Sequence, residues 1–185
     1  MATNILVAIA DGSEELEAVT IIDVLRRAGA KVTVASVNAL NITASRGVKL
    51  VADAQIDQCT GKEYDCIVLP GGMPGAEHLR DSTPLIDLLK VQKQRGRWYA
   101  AICAAPAVVL AHHHLLPNYA TCYPSMADKL PNSEKAGQRV VVEDRCITSQ
   151  GPATAMDFAL ELVRQLIGAD RAASVAEAML VSQSD

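Results

Sequence analysis

Short apolar runs alternate with segments of helical periodicity, and this alternation constrains the fold more than any other feature of the sequence. The runs have the length of buried strands and occupy Ile5–Ala10, Lys31–Val37, Cys66–Leu69 and Trp98–Ile102. Apolar strands separated by helices are typical of a parallel sheet that is covered on both faces. We therefore predict an α/β fold with a doubly wound, mostly parallel sheet and helices on both faces.

The segments between the runs carry the start and stop signals of helices. The first predicted helix follows the turn Asp11–Ser13 and ends at Gly29. Further helices are predicted from Ser82 to Gly96, from Pro106 to His114, from Gly151 to Ile167 and from Ala172 to Leu180. Additional strands are predicted at Ile42–Thr43, Val48–Val51, Tyr119–Tyr123, Arg139–Glu143 and Cys146–Ser149. Because neither a linker nor an internal repeat is evident, we expect one domain over residues 1–185.

The composition is that of a globular protein, with 50% hydrophobic and 21% charged residues. The net charge of −4 gives no indication of a surface for nucleic acid or anionic lipid. The apolar run near the N-terminus ends at Asp11 and is too short for a signal peptide. The run around Cys103 is too short to span a bilayer. We expect a cytoplasmic protein that binds neither membranes nor nucleic acids.

The five cysteines are odd in number and include no CxxC motif, which argues against a disulfide framework and a zinc knuckle. They are Cys59, Cys66, Cys103, Cys122 and Cys146. Three consecutive histidines, His112–His114, close a predicted helix. Successive helical residues point in different directions, so these histidines cannot all bind one metal ion. We expect neither a metal site nor an organic cofactor.

Cys103 stands where a predicted strand turns directly into a predicted helix. Ala104 and Ala105 suit a tight turn, and Pro106 suits a first helical turn because its missing N–H is not needed there. The same layout raises the nucleophile above the sheet in nucleophile elbows, and a helix N-terminus favours a thiolate. On this pattern alone, Cys103 is either a reactive thiol with a pKa below ~8.5 or a small core residue.

Two further loops end at the same predicted edge of the sheet, where open α/β sheets bind their ligands. Glu17 borders the inner face of the first helix, whereas Glu14 and Glu15 are expected in solvent. An inward Glu17 has a raised pKa and donates a proton at neutral pH, but a first-turn acid on the surface fits the pattern as well. Gly71 and Gly72 form either a simple turn or a source of backbone N–H donors.

Six motifs together resemble the ThiJ/PfpI superfamily, and in particular its protein deglycase branch, over nearly the whole chain. They are Gly12–Glu17, Ala44–Gly47, Val68–Gly72, Ala100–Pro106, Asp128–Leu130 and Thr148–Pro152. The resemblance implies a flavodoxin-like fold and a homodimer, for which Ile22 and Val24 on the first helix are candidate contacts. By the same resemblance, Cys103 is the reactive, oxidation-prone cysteine and Glu17 is the glutamate that hydrogen-bonds to it. The implied pocket residues, which present backbone amides, are Gly71, Gly72 and Ala104.

Two positions depart from the patterns of this superfamily. Ala104 follows the cysteine where the proteolytic branch has a histidine. Tyr123 precedes Pro124 where the animal deglycase branch has a histidine. A protease that relies on a cysteine, a histidine and an acid therefore lacks both expected histidines.

The resemblance implies an enzyme that uses Cys103 to attack methylglyoxal, glyoxal or early glycated side chains. In this hypothesis Glu17 moves protons, and the protein protects the cell during oxidative stress. The alternative is a redox-responsive chaperone or stress sensor that binds unfolded proteins, with Cys103 oxidised to a sulfinate. An amidase or protease is a weaker alternative. The same residues serve the first two hypotheses, so the sequence does not separate them.

Overall fold

A seven-stranded sheet organises the computed structural model of this protein, which describes residues 2–181. Its strands are β1 (Asn4–Ile9), β2 (Lys31–Ser36), β5 (Ala54–Gln55), β6 (Cys66–Leu69), β7 (Trp98–Ile102), β8 (Val140–Glu143) and β9 (Cys146–Ser149). Two further strands, β3 (Asn41–Thr43) and β4 (Lys49–Val51), form a separate hairpin. The order across the sheet is β5-β2-β1-β6-β7-β9-β8, and every neighbouring pair is parallel except β8 and β9.

Helices cover both faces of this sheet. The α-helices are α1 (Glu15–Arg27), α2 (Gly75–Arg80), α3 (Thr83–Gln94), α4 (Ala155–Leu166) and α5 (Ala169–Ala178). The connection through α1 leads from β1 towards one edge of the sheet, and the connection through α3 leads from β6 towards the other. Because such crossovers are right-handed, α1 and α3 lie on opposite faces. The predicted doubly wound, flavodoxin-like α/β fold is therefore confirmed.

Helix α1 is covered on two sides, and this corrects one prediction about its surface. Ile21 and Leu25 are fully buried, as the predicted inner face requires. Val24, which we expected at a contact with a second copy, is also fully buried. The reason is that α1 packs against β1 and β2 on one side and against α4 on another. Leu16 and Val19 are instead the large apolar residues that α1 exposes.

Three segments differ from their predicted secondary structure. Helix α2 occupies Gly75–Arg80, for which we predicted no helix, because six residues are too few to show a clear apolar period. The segment Tyr119–Tyr123 is not a strand, since Thr121 N–H donates to the Thr148 side chain at 2.9 Å. After Cys103 the chain forms a wide π-helical turn, Pro106–Leu110, in place of the predicted helix through His114.

The side-chain arrangement around the histidine run and the lengths of the helices bear on metal binding and on membrane insertion. Among residues 2–181, no group of three or more His, Cys, Asp or Glu side chains is arranged to hold a metal ion. His113 Nε2 lies 2.9 Å from Arg80 O and so has a backbone partner. Within the same range of residues, each helix is too short or too polar to cross a lipid bilayer.

Candidate active site

Cys103 is the first residue after β7 and has a left-handed backbone, with a φ of 63°. This conformation is strained for a residue with a side chain and persists where the surroundings hold it. Cys103 N–H donates to Ser149 O at 2.9 Å, and Cys103 O accepts from Tyr123 N–H at 2.8 Å. Both backbone groups are therefore held, and the side chain stands at the carboxyl end of the sheet as in a nucleophile elbow.

The loop after β6 packs so closely against Cys103 and against the turn before α1 that it requires glycine at two positions. A Cβ at Gly71 would lie 2.6 Å from Cys103 Cβ. A Cβ at Gly72, whose φ is 87°, would lie 2.4 Å from backbone atoms of the turn before α1. Gly72 and Ala104 direct their backbone N–H groups at Cys103 Sγ, which favours the ionised sulfur. Gly71 N–H instead donates to Glu17 Oε2 at 2.7 Å, so Gly71 positions the glutamate and not the sulfur.

Glu17 lies on the inner side of α1 and is fully buried, so the interpretation as a surface acid is wrong. Its Oε1 has no hydrogen-bond partner among the residues that the structure describes. The Cys103 thiol lies near enough to influence the protonation of this carboxyl, although the contact falls outside hydrogen-bond geometry. Burial raises the pKa of Glu17 to about 7, against the opposing effect of the hydrogen bond from Gly71.

The Cys103 thiol has a pKa raised to about 12, first by burial and then by the charge of Glu17. The backbone N–H groups of Gly72 and Ala104 oppose this rise. The structure therefore contradicts the predicted pKa below ~8.5. That prediction relied on a helix start, whereas the structure has a five-residue π-helical turn and a buried acid beside the thiol. Cys103 and Glu17 titrate as a coupled pair, and a thiolate forms when the remaining proton resides on Glu17.

Cys103 is 8% exposed and opens into a cavity of about 540 Å³. The polar residues that line this cavity are Glu14, Ser45, Arg46 and Ser125. The other lining residues besides Cys103 are Gly72, Met73, Ala104, Tyr123, Met126 and Pro152. A larger cavity of about 680 Å³ lies between β8, α4 and α5, but its lining residues include neither cysteine nor histidine. The cavity at Cys103 is the candidate active site because it combines a nucleophile with a nearby proton carrier.

The sequence assigned no role in this site to Glu15 or Arg46, and it marked Tyr123 only as a departure from the pattern of the superfamily. Glu15, which we expected in solvent, is buried and accepts hydrogen bonds from Ser45 Oγ and Arg46 N–H, each at 2.9 Å. These bonds hold the β3–β4 loop, and with it Arg46, beside the cavity. Tyr123 enters the site because its backbone binds Cys103. No local pattern marks these contacts, since the partners lie far apart along the chain.

Comparison with known proteins extends the similarity beyond the motifs. The family described as the DJ-1/PfpI family matches residues 3–165. Protein DJ-1 homolog B of Arabidopsis thaliana is 48% identical over 180 residues, which are 96% of this chain and 41% of that protein. The chain thus spans less than half the length of this plant relative. A Caenorhabditis elegans protein named glutathione-independent glyoxalase DJR-1.2 is 33% identical over 175 residues, 94% of this chain and 93% of that protein.

Solved structures show the same similarity in three dimensions. The structure titled "Toxoplasma gondii DJ-1, oxidized" matches with a TM-score of 0.96 and 46% sequence identity. The match covers 98% of this chain and 100% of the other chain. From the matched residues, the shared sheet and the relatives of similar sequence, we conclude that the chain belongs to the DJ-1/PfpI family.

Proposed function

We propose that this protein is a cofactor-independent glyoxalase and deglycase that acts on methylglyoxal, glyoxal or early glycated side chains and protects against oxidative stress. The proposal depends on one observation: the Glu17 carboxyl is buried near Cys103, and its Oε1 has no hydrogen-bond partner among the described residues. A proton carrier with a pKa of about 7 suits a reaction in which protons are taken and returned at neutral pH. The relative named a glutathione-independent glyoxalase supports this substrate class.

The first step joins Cys103 Sγ to the aldehyde carbon of the substrate. The thiolate attacks C1 of methylglyoxal, the carbonyl electron pair moves to oxygen, and Glu17 gives its proton to that oxygen. The product is a neutral hemithioacetal beside an ionised Glu17. With a glycated side chain, the Cys103 thiolate displaces the amine from the adduct carbon while Glu17 gives its proton to the leaving nitrogen, which reaches the same hemithioacetal. The backbone N–H groups of Gly72 and Ala104 stabilise the thiolate before it attacks.

The second stage transfers hydrogen between the two carbons of the adduct. Glu17 takes the proton from C1 and gives it to the C2 oxygen, which produces an enediol and leaves Glu17 ionised. Glu17 then takes the proton of the C1 hydroxyl and gives it to C2. C1 is thereby oxidised to a thioester and C2 is reduced to an alcohol, so no external oxidant is required. Water hydrolyses the thioester, which releases lactate and restores the Cys103 thiol.

Product analysis tests this proposal directly. The purified protein is incubated with methylglyoxal in the absence of glutathione, and lactate is measured over time. We expect lactate from the wild type and none above background from Cys103→Ser, because a hydroxyl is a poor nucleophile without an adjacent base. Absence of lactate from the folded wild type, or equal lactate from Cys103→Ser, would refute the proposal.

A redox-responsive chaperone or stress sensor is the second candidate, and the exposure of Cys103 favours it. Cys103 is 8% exposed, whereas the other four cysteines are at most 1% exposed, so an oxidant in the cavity meets this thiol first. Gly72 and Ala104 would donate hydrogen bonds to a sulfinate, and a protonated Glu17 would donate another. This candidate predicts that mild peroxide increases the suppression of aggregation by the wild type and leaves Cys103→Ser unchanged.

An amidase or protease is the weaker alternative. The residues that line the cavity at Cys103 include no histidine within the described part of the chain. Acyl transfer by a cysteine needs a base that activates the thiol and later protonates the leaving group. Glu17 faces the sulfur, but the histidine that performs this role in the proteolytic branch has no counterpart among the described residues that line the cavity.

The proposed setting is a cytoplasmic homodimer without a metal or organic cofactor. The cytoplasm keeps thiols reduced, as the attack by Cys103 requires. The proposed dimer face combines α1 with the β3–β4 loop, where Leu16, Val19 and Val48 are about half exposed. Burial of such apolar side chains between two copies stabilises a dimer. Light scattering at micromolar concentration is expected to give twice the mass of one chain, and the mass of one chain would contradict this.

A further inference from the structure

We infer that the cavity at Cys103 contains a subsite for an apolar substituent, and that 2-oxoaldehydes with an alkyl group larger than methyl are the preferred substrates. This inference rests on the proposed function, because it concerns the part of the substrate that does not react. The cavity measures about 540 Å³. Cavities of about 300–1,000 Å³ bind ligands of drug size. Methylglyoxal, whose substituent is one methyl group, therefore fills only a small part of it.

The apolar lining residues are neighbours and form one wall, which we call the Tyr123 wall; it consists of Met73, Tyr123, Met126 and Pro152. Met126 N–H donates to Tyr123 O at 2.9 Å, so these two residues share one turn. The Tyr123 ring lies 3.5 Å from the position of a Cβ on Gly151, which precedes Pro152. Met73 and Met126 both line a second cavity of about 360 Å³, so these two residues border both cavities.

Three of the four polar lining residues come from other segments of the chain, whereas Ser125 lies in the turn between Tyr123 and Met126. Glu14 precedes α1, and Ser45 and Arg46 belong to the β3–β4 loop that Glu15 holds in place. The charged lining groups thus come from the turn before α1 and from the hairpin, whereas the Tyr123 wall supplies apolar side chains and its turn adds the single hydroxyl of Ser125. A substrate bound to Cys103 can direct its alkyl group to this wall without burying a charged residue.

Solvent exposure makes the Tyr123 wall favourable for an alkyl group. Tyr123 is 45% exposed and Met73 is 44% exposed, so apolar surface faces water in the empty cavity. Each methylene that becomes fully buried on binding raises affinity about fourfold, and partial burial gives less. The aromatic ring supplies a rigid contact, and the methionine side chains adapt to branched groups. We therefore expect catalytic efficiency to rise along a series of longer alkyl groups.

Tyr123 is the appropriate residue for substitution because its structural contact uses only the backbone. Its N–H holds Cys103 O, and any residue except proline at this position keeps that bond. Tyr123→Ala removes the ring from the wall and preserves the elbow, whereas Tyr123→Phe preserves the ring. Tyr119→Ala is the matched control, because the ring of Tyr119 contacts Lys135 Nζ at 4.5 Å and does not line the cavity.

The experiment measures kcat/KM for glyoxal, methylglyoxal and 4-methyl-2-oxopentanal. Each kcat/KM value is divided by the equilibrium constant with which the same aldehyde forms a hemithioacetal with a small free thiol. This division corrects for differences in the intrinsic reactivity of the aldehydes. For the wild type, Tyr123→Phe and Tyr119→Ala, we expect an increase of at least about tenfold from methylglyoxal to 4-methyl-2-oxopentanal. For Tyr123→Ala we expect an increase below about threefold over the same pair of substrates.

Thermal unfolding and the rate of Cys103 alkylation verify that each variant is folded with an intact elbow. If the wild type had equal corrected kcat/KM values for methylglyoxal and 4-methyl-2-oxopentanal, the proposed subsite would be refuted. It would also be refuted if Tyr123→Ala kept the full increase between these two substrates. Turnover without preference refutes only the subsite, whereas absence of turnover with all three aldehydes refutes the proposed function as well.

Discussion

Cys66 and Cys103 lie on or beside neighbouring strands of one sheet, yet their surroundings differ in ways that matter for chemistry. Cys66 begins β6, is fully buried, and directs its Sγ towards Ile67 O at 3.8 Å. Burial raises the pKa of Cys66 well above its ordinary value, and the neighbouring Cys146 and Asp65 add to this rise. Cys103 follows the end of β7, and burial raises its pKa to about 12. Both thiols are therefore weak acids, so a lowered pKa does not distinguish them.

The difference between the two cysteines lies in what surrounds the sulfur. Cys103 has two backbone N–H groups directed at it, a buried carboxyl with a free oxygen, and an open cavity. Cys66 stands at the amino end of its strand, packed among core residues. Because ligands of open α/β sheets bind at the carboxyl ends of the strands, only Cys103 lies where substrate can enter. We therefore propose that access to the cavity and proton transfer by Glu17, more than the acidity of the thiol, distinguish Cys103 from Cys66 as the reactive cysteine.

Serine at each cysteine position gives the largest expected contrast. Cys103→Ser should reduce methylglyoxal turnover by at least about 10³-fold, because the nucleophile is lost. Cys66→Ser should keep turnover within about twofold, while its buried hydroxyl lowers the free energy of unfolding by about 1–3 kcal/mol. Lactate production and chemical denaturation measure the two effects. A folded Cys66→Ser that is as inactive as Cys103→Ser would invalidate the comparison.

Replacement of Glu17 tests whether proton transfer by this carboxyl distinguishes Cys103 from Cys66. Glu17→Gln keeps a hydrogen-bond donor of similar size but cannot transfer a proton. We expect dicarbonyl turnover to fall by about 10²–10⁴-fold, as for other general acid–base residues. Oxidation of Cys103 to sulfinate should continue and can be followed by mass spectrometry. Full turnover by this variant would show that Glu17 is not the proton carrier.

The raised pKa of Glu17 also predicts how stability changes with pH. The folded pKa of about 7 lies above the ordinary value of 4.5, so protonation of Glu17 favours the folded state. This stabilisation is fully present below pH 4.5 and is lost as pH rises through 7. Between pH 5 and pH 8, the free energy of unfolding should fall by about 2–3 kcal/mol more for wild type than for Glu17→Gln. Parallel pH profiles from urea denaturation would contradict a buried, coupled carboxyl.

Close approach of the β6 loop to Cys103 is tested by one added methyl group. In Gly71→Ala, the new Cβ would meet Cys103 Cβ at 2.6 Å, so the loop or the elbow must shift. We expect the free energy of unfolding to fall by about 1–3 kcal/mol, together with lower turnover. Gly137→Ala is the control, since no atom of the described residues lies within 4 Å of its new Cβ. That variant should differ from wild type by less than about 0.5 kcal/mol.

Alkylation provides the smallest expected contrast and the simplest measurement. Iodoacetamide should modify Cys103 at least about tenfold faster than Cys66, because only the first sulfur is open to the cavity and faces N–H donors that favour its thiolate. Limited alkylation followed by peptide mass spectrometry gives the order of modification. Modification of Cys59, Cys66, Cys122 or Cys146 before Cys103 in the folded protein would contradict the assignment.

Local patterns were sufficient to predict the elements around the site. The β6 prediction, Cys66–Leu69, and the β7 prediction, Trp98–Ile102, both agree with the structure because each strand is a continuous apolar run between turn residues. The turn after Ile102 was also predictable, since small residues and a proline follow the cysteine directly. These features depend on neighbours in the sequence, so the sequence alone contains the necessary information.

Contacts between distant segments could not be predicted in this way. Glu17 Oε2 binds the backbone of a residue 54 positions away, and this contact buries the carboxyl that raises the pKa of Cys103. Val24 is buried because α4, from near the C-terminus, packs on α1. Tyr123 and Glu15 reach the site through hydrogen bonds to loops elsewhere in the chain. The sequence determined the sheet, the elbow and the candidate nucleophile; only the tertiary structure decided the proton partner and the cavity wall, because burial and charge arise from packing between segments.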